Sequence, residues 1–219
     1  MKLNTVIFDM DGLLIDSEPF WEEAGKETLE KFGVALSPDQ YALTTGLRTA
    51  EWIQHWFEYF NIETKYQKKA EEIIIQKAIE KIIAHGTPMP GVHYIFDFFK
   101  KRNFKIGLAT SSPLALANPV IEKLNIRNYL NTITSAELLP FGKPHPQVFI
   151  NCAGSLNSAA LQCVVFEDSF NGMIAAKAAR MKCVVIPARQ QQEEVKWKAA
   201  DLQLNLLEDF TDKLLNVLE

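Results

Sequence analysis

Thr5-Val6-Ile7-Phe8-Asp9-Met10-Asp11-Gly12 opens on four residues that are apolar or β-branched and stops on two acids set one residue apart. A short unbroken run of this kind reads as a strand covered on both faces, where nothing requires polar residues to alternate with apolar ones. The same form recurs further along. Ile106-Gly107-Leu108-Ala109 stops at Thr110, Cys163-Val164-Val165-Phe166 at Glu167, and Cys183-Val184-Val185-Ile186 at Pro187. Helix-period stretches at 92–101, 115–124, 145–156 and 171–181 separate the later runs. Strand and helix in alternation predict right-handed βαβ units. The expected fold is therefore α/β, a Rossmann-like doubly wound parallel sheet.

One interruption is too long for an ordinary crossover. Apolar residues fall at helical spacing in Trp21, Ala24, Thr28, Leu29 and Phe32, again in Trp52, Ile53, Trp56, Phe57 and Phe60, and again through 73–83, with no strand among them. Thr87-Pro88-Met89-Pro90-Gly91 then ends the helical pattern with residues that cannot continue it. The reading is a core of residues 1–15 and 87–219 with an all-helical insert at 16–86. A simpler arrangement, in which these helices cover one sheet face, stays open. The aromatic residues at 52–60 read as the insert's own core.

The 219 residues are 47% hydrophobic, enough to bury a sizeable core. A formal charge of −4 argues against a general nucleic-acid or membrane-surface binder. Cys152, Cys163 and Cys183 are odd in number and lack CxxC spacing, so they read as buried reduced thiols. The start of the chain, Met1-Lys2-Leu3-Asn4, resembles neither a signal peptide nor a membrane span, and the cytoplasm is the expected compartment.

In open parallel sheets, ligands bind beyond the carboxyl ends of the strands. The first polar residues past the apolar runs are Asp9 and Asp11, Thr110 and Ser111, and Glu167 and Asp168; Lys143 sits in Gly142-Lys143-Pro144-His145-Pro146 between the second and third pairs. Singly, each has an ordinary explanation: a turn aspartate, a helix cap, a solvated lysine. Jointly, four acids, two hydroxyls and a lysine at matching strand ends describe a site. Carboxylates crowded together call for a cation, and hard oxygen donors without His or Cys suit Mg²⁺.

These residues resemble the haloacid-dehalogenase superfamily. Asp9-Met10-Asp11-Gly12 is similar to its first motif, Thr110 to its second, Lys143-Pro144 to its third and Glu167-Asp168 to its fourth. The insert lies where that superfamily carries a helical cap. Two longer stretches, 8–19 and 143–148, resemble its bacterial hexitol and 2-deoxyglucose-6-phosphate phosphatases in particular. The resemblance implies an Mg²⁺-dependent phosphatase acting on a small phosphorylated metabolite, a sugar or sugar-alcohol phosphate. Asp9 is then the nucleophile and Asp11 the general acid and base. Asp9, Asp11, Asp168 and Glu167 are the metal residues, and Thr110, Ser111 and Lys143 hold the phosphate. Arg48, in Thr45-Gly46-Leu47-Arg48, is a candidate for a substrate hydroxyl or its phosphate, and Glu18 and Trp21 are candidates for the same cavity.

Asp11 counts against a dehalogenase, which needs no such acid. A sugar phosphomutase of the β-phosphoglucomutase kind is the nearest alternative, but it places a cap histidine where this chain has Trp21. A response-regulator receiver and a catalytically silent binding module fit less well, the first because of the insert and the second because the full set of reactive groups is present. A monomer is the default assembly.

Overall fold

The computed structural model of the chain describes residues 2–219. Strand β1 (Thr5–Phe8) leads into a short β2 (Ile15–Asp16). Four helices follow, α1 (Glu18–Glu30), α2 (Pro38–Leu43), α3 (Thr49–Tyr59) and α4 (Gln67–His85), and the chain returns through β3 (Thr87–Pro88). The remainder alternates: α5 (Val92–Lys100), β4 (Lys105–Thr110), α6 (Leu114–Lys123), β5 (Thr132–Ser135), α7 (Gln147–Ser155), β6 (Cys163–Glu167), α8 (Phe170–Ala178) and β7 (Lys182–Val185). A two-residue β8 (Leu202–Gln203) and α9 (Asp212–Leu218) close it.

The main sheet has six strands in the order β5-β4-β1-β6-β7-β8, and every pairing in it is parallel. β1 lies at the centre, and the continuous run at 5–8 is explained by what its alternating side chains meet. Val6 and Phe8 join the larger apolar cluster with Phe96, Phe99 and Phe166, whereas Ile7 points the other way into a second cluster with Phe149, Cys152 and Val165. The Phe8 ring packs 4.8 Å from Phe96 and 5.2 Å from Phe166, centroid to centroid. Burial on both faces removes any reason for a polar residue before the strand ends.

The sequence pattern missed the two-residue β2 and β3 and two strands of the main sheet. β5 carries Thr-Ile-Thr-Ser, half-buried at the sheet edge, and β8 has two residues; neither offers an apolar run to read. The predicted helices appear within a few residues of their expected ends. All three cysteines are free and buried; burial pushes the Cys152 thiol up to about 12 and Cys163 to about 11. No helix among the described residues is long and apolar enough to cross a membrane.

The helices α1–α4 pack on one another through Ala24, Gly25, Thr28 and Leu29 of α1, Ile53, Trp56 and Phe57 of α3, and Ala70, Ile74, Ala78 and Ile82 of α4. Gly25 is required for this closeness, because a Cβ there would lie 2.9 Å from the Trp52 ring. The two chain crossings into and out of this helical segment are paired as an antiparallel ribbon, Ile15 with Pro88 and Asp16 with Thr87. The helices enclose a cavity between themselves and the carboxyl end of the sheet.

Candidate active site

Each strand of the sheet's centre delivers one part of the site. β1 ends in Asp9, which is buried, with Asp11 two residues on; β4 ends in fully buried Thr110; β6 ends in fully buried Glu167, followed by Asp168. Lys143 comes from the loop before α7, behind a cis Lys143–Pro144 bond, and is 1% exposed. Its ammonium donates to Asp9 Oδ1 and, at 2.6 Å, to Glu167 Oε1. A lysine so buried is tolerated because two carboxylates face it.

Gly12 turns the chain behind Asp11 with φ +72°, and a Cβ at this position would fall 2.1 Å from Asp168 Oδ2. The turn therefore needs glycine for its conformation and for the approach of Asp168.

Asp11 is gripped by four donors. Ser17 Oγ at 2.8 Å and the Trp21 indole Nε1 at 3.0 Å donate to Oδ1; Ser112 Oγ at 2.7 Å and, more distantly, Thr110 Oγ1 at 3.4 Å donate to Oδ2. Of these donors, sequence reasoning had named Thr110 for phosphate and Trp21 as a cavity wall. It passed over Ser17 and Ser112. Thr110-Ser111-Ser112 carries three hydroxyls in a row, a signal that they serve different partners, and Ser111 Oγ in fact donates to the Gly46 carbonyl at 2.9 Å.

The electrostatics follow from crowding. Burial, reinforced by Glu167 and Asp11 and opposed by Lys143, pushes Asp9 up to about 8. Burial together with Asp11, Asp9 and Glu22 raises Glu18 to about 8. Asp168 is held well above the carboxylate range by burial, Glu167, Asp9 and Glu18. Burial disfavours the charge on Lys143, but Asp9 and Glu167 outweigh it and keep the ammonium protonated. More negative charge converges here than one lysine balances.

Carboxylate oxygens of Asp9, Glu167 and Asp168 lie within 4.8 Å of one another, a donor set of hard oxygens that fits a divalent cation. The three are not equivalent. Glu167 Oε1 is taken by Lys143, while its Oε2 accepts the backbone N–H groups of Asp168 and Ser169, each at 3.1 Å, and the Ser169 hydroxyl at 3.0 Å. Among the described residues, Asp9 Oδ2 and both Asp168 carboxylate oxygens accept no hydrogen bond, so they are the ones free for a cation. Glu167, expected as a metal residue, is occupied by the lysine and the first turn of α8.

Arg48 is the one candidate the structure takes away from the site. Its guanidinium does not line the cavity, because the start of α3 lies against the loop between β5 and α7. Nη1 donates to the carbonyls of Ala136 at 3.0 Å and Leu139 at 2.6 Å, and Nη2 donates to Glu51 at 2.7 Å.

The cavity is lined by Asp9, Asp11, Lys143 and Asp168 on the sheet side. Glu18, Trp21, Tyr41, Thr45, Thr49 and Trp52 face it from the helical segment. Trp52 thus both packs in the apolar cluster and walls the cavity. Tyr41 was not singled out from the sequence; its phenol is held well above its usual range by burial and by Glu18, Glu22 and Asp11.

Residues 6–186 match the family described as haloacid dehalogenase-like hydrolase. The chain is similar to hexitol phosphatase B of Escherichia coli K12, at 38% identity over 213 residues, which covers 97% of this chain and 96% of that protein. It is also similar to a phosphorylated carbohydrates phosphatase of Thermotoga maritima, at 29% identity over 81% of this chain and 82% of that one. In fold it matches a β-phosphoglucomutase from Clostridium difficile with a TM-score of 0.87 at 22% identity, covering 99% and 96% of the two chains.

Proposed function

The chain belongs to the haloacid dehalogenase-like hydrolases, and from that premise we propose that it is a magnesium-dependent phosphatase of small sugar or sugar-alcohol phosphates, with residues 16–86 acting as a cap over a catalytic core of 1–15 and 87–219. The observation that carries this reading is the lysine-bridged acid cluster at the strand ends, with Asp11 held beside it and a polar, aromatic-walled cavity above. The mild acidity of the chain accords with a cytoplasmic enzyme acting on a metabolite.

Asp9 attacks phosphorus with one carboxylate oxygen, the other staying with the positive charge beside it, and forms an aspartyl-phosphate, which splits one displacement into two. Asp11 gives its proton to the departing alkoxide, then takes one from the water that attacks the aspartyl-phosphate and breaks the new P–O bond. Lys143 neutralises Asp9 and a phosphoryl oxygen, and Thr110 with the Ser111 backbone N–H holds the phosphoryl group. The carboxylates of Asp9 and Asp168, with the Asp11 carbonyl, would hold a magnesium ion, which would supply the remaining positive charge. Glu167 holds Lys143 in place. Closing the cap excludes bulk water and presents Glu18, Tyr41 and the Trp21 and Trp52 rings to the hydroxyl-bearing part of the substrate.

A sugar phosphomutase handles a bisphosphate and must hold its second phosphate. Among the described residues lining the cavity, Lys143 is the one cation, and it is committed to Asp9 and Glu167. This favours hydrolysis. The test is phosphate release from hexose, hexitol, nucleotide and phosphonate substrates, with Mg²⁺ and with chelator, for wild type and Asp9→Asn. Mg²⁺-dependent release from hexose or hexitol phosphates that disappears in Asp9→Asn is the expected result. Interconversion of sugar-phosphate isomers in the presence of a bisphosphate, without net release, would overturn it.

A further inference from the structure

Residues 45–51 touch the loops that carry the phosphate-handling groups. The Thr45 carbonyl accepts from Asn171 Nδ2 at 2.8 Å, just after Asp168, and the Gly46 carbonyl accepts from Ser111. The most elaborate contact is made by Arg48 and Glu51. The guanidinium reaches three carbonyls of a single loop, Ala136, Leu139 and, at 3.3 Å, Pro140. Glu51 Oε1 accepts both from Arg48 and, at 2.8 Å, from the backbone N–H of Gly142.

This loop runs straight into Lys143. Gly142 is the residue at the point of contact, and a Cβ on it would lie 2.5 Å from Glu51 Oε2 and 2.7 Å from Arg48 Nε. The approach is so close that those two atoms are buried without a hydrogen-bond partner among the described residues. The pair fixes the backbone on which Lys143 is mounted, through the planar fork that only arginine provides.

We propose that Arg48 and Glu51 are positioning residues for Lys143: when the cap is seated, they lock the 136–142 loop and so set the lysine ammonium between Asp9 and Glu167. The inference rests on the phosphatase reading of the site. It replaces a direct contact between Arg48 and substrate with an action through Lys143, and it makes completion of the charge arrangement conditional on the cap being closed. A misplacement of about 1 Å in such a group costs on the order of 100-fold in rate.

The test compares wild type, Arg48→Ala, Arg48→Lys and Glu51→Gln on p-nitrophenyl phosphate and on a hexose 6-phosphate, with thermal melting and hydrogen exchange of residues 136–142 measured in parallel. A positioning role predicts that Arg48→Ala loses about 10- to 100-fold in kcat on both substrates while KM moves less than about threefold. Exchange at 136–142 should quicken by more than exchange elsewhere in the chain. Arg48→Lys should recover little, since an ammonium cannot address three carbonyls at once. Glu51→Gln, the milder variant if Arg48→Ala folds poorly, should show the same leaving-group independence with a smaller loss. A loss confined to KM for the sugar phosphate would mean direct substrate contact and overturn the proposal, as would unchanged kcat on both substrates. A wild type inactive on every phosphate ester would instead overturn the phosphatase reading itself, and this inference with it.

Discussion

Replacing Glu167 by glutamine changes one atom, and the structure allows no orientation that absorbs the change. The native carboxylate is fully buried and accepts on both sides: Oε1 from Lys143 at 2.6 Å, and Oε2 from two backbone N–H groups at 3.1 Å and the Ser169 hydroxyl at 3.0 Å. A glutamine amide offers one accepting and one donating end. Turned one way, its NH₂ faces the lysine ammonium; turned the other, it faces three donors of the α8 turn. A buried donor left without an acceptor costs about 1–3 kcal/mol, and removing one member of a buried ion pair costs about 3–5 kcal/mol. Lys143 keeps Asp9 as a partner, so the cost is set by the unpaired donor and lies in the upper part of its range, about 2–3 kcal/mol. For a chain of this size each kcal/mol moves Tm by about 2–4 °C, which gives a fall of about 4–12 °C. Because Lys143 loses one of its two anchors, kcat should fall at least about tenfold, the effect of roughly 1.4 kcal/mol on the barrier. Differential scanning calorimetry and a phosphate-release assay on Glu167→Gln check both numbers. A Tm within about 2 °C of wild type together with kcat within about twofold would refute the reasoning, since it would mean that the carboxylate carries neither the lysine nor the helix turn.

Three further perturbations address other parts of the site. Gly12→Ala must place a methyl where Asp168 Oδ2 now lies, 2.1 Å from the new carbon, at φ +72°; magnesium affinity measured by titration calorimetry should weaken at least about tenfold, and unchanged affinity would show that Asp168 is not a ligand. Trp21→Phe keeps an aromatic wall but deletes the 3.0 Å bond to Asp11; kcat should drop about 3- to 10-fold, the worth of one such hydrogen bond, and an undiminished kcat would count against the indole as an orienting group. Folding raises Asp9 and Glu18 to about 8 from ordinary values of 3.8 and 4.5, so the metal-free protein retains protons that the unfolded chain releases. Stability from these groups is complete below their unfolded values and is lost as pH climbs towards 8. Magnesium must displace the same protons, so its affinity and the Tm increase it brings should be larger at pH 8.5 than at pH 6.0. Scanning calorimetry in chelator and in excess Mg²⁺ tests this, and an equal increase at both pH values would contradict it.

The parts of the site legible in the sequence are those fixed by where a buried strand has to end. Asp9, Thr110 and Glu167-Asp168 are readable because an apolar run covered on both faces must stop before the first charged or hydroxyl group, and parallel strands bring those ends together. Lys143 was readable from its position in a proline-rich loop and from the family's third motif. Arg48 was not, since its partners are backbone carbonyls at 136, 139 and 140, and a carbonyl leaves no trace in residue identity. Glu167 and Asp168 are not told apart by sequence for a related reason: both are acids at one strand end, and only the fold shows that the first faces a lysine and a helix turn while the second accepts no hydrogen bond among the described residues. Ser17 and Ser112 are ordinary turn and cap residues by sequence, and their role depends on the rotamer of Asp11. β5 was hidden because an edge strand with a half-buried face is free to be Thr-Ile-Thr-Ser.

The central position of β1 bears on how the chain is made as well as on what it holds. Thr5 pairs with Lys105 on one side and Cys163 on the other, separations of 100 and 158 residues, and neither neighbour can be supplied by a local hairpin. During synthesis the strand that ends at Asp9 leaves the ribosome before either neighbour, so one backbone edge waits unpaired for β4 and the other, longer still, for β6. Contacts of such range make folding slow and leave sticky intermediates exposed. The helices between 18 and 85 emerge in that interval and are built on short-range contacts, so they are expected to form early and to be waiting when β6 closes the sheet on β1.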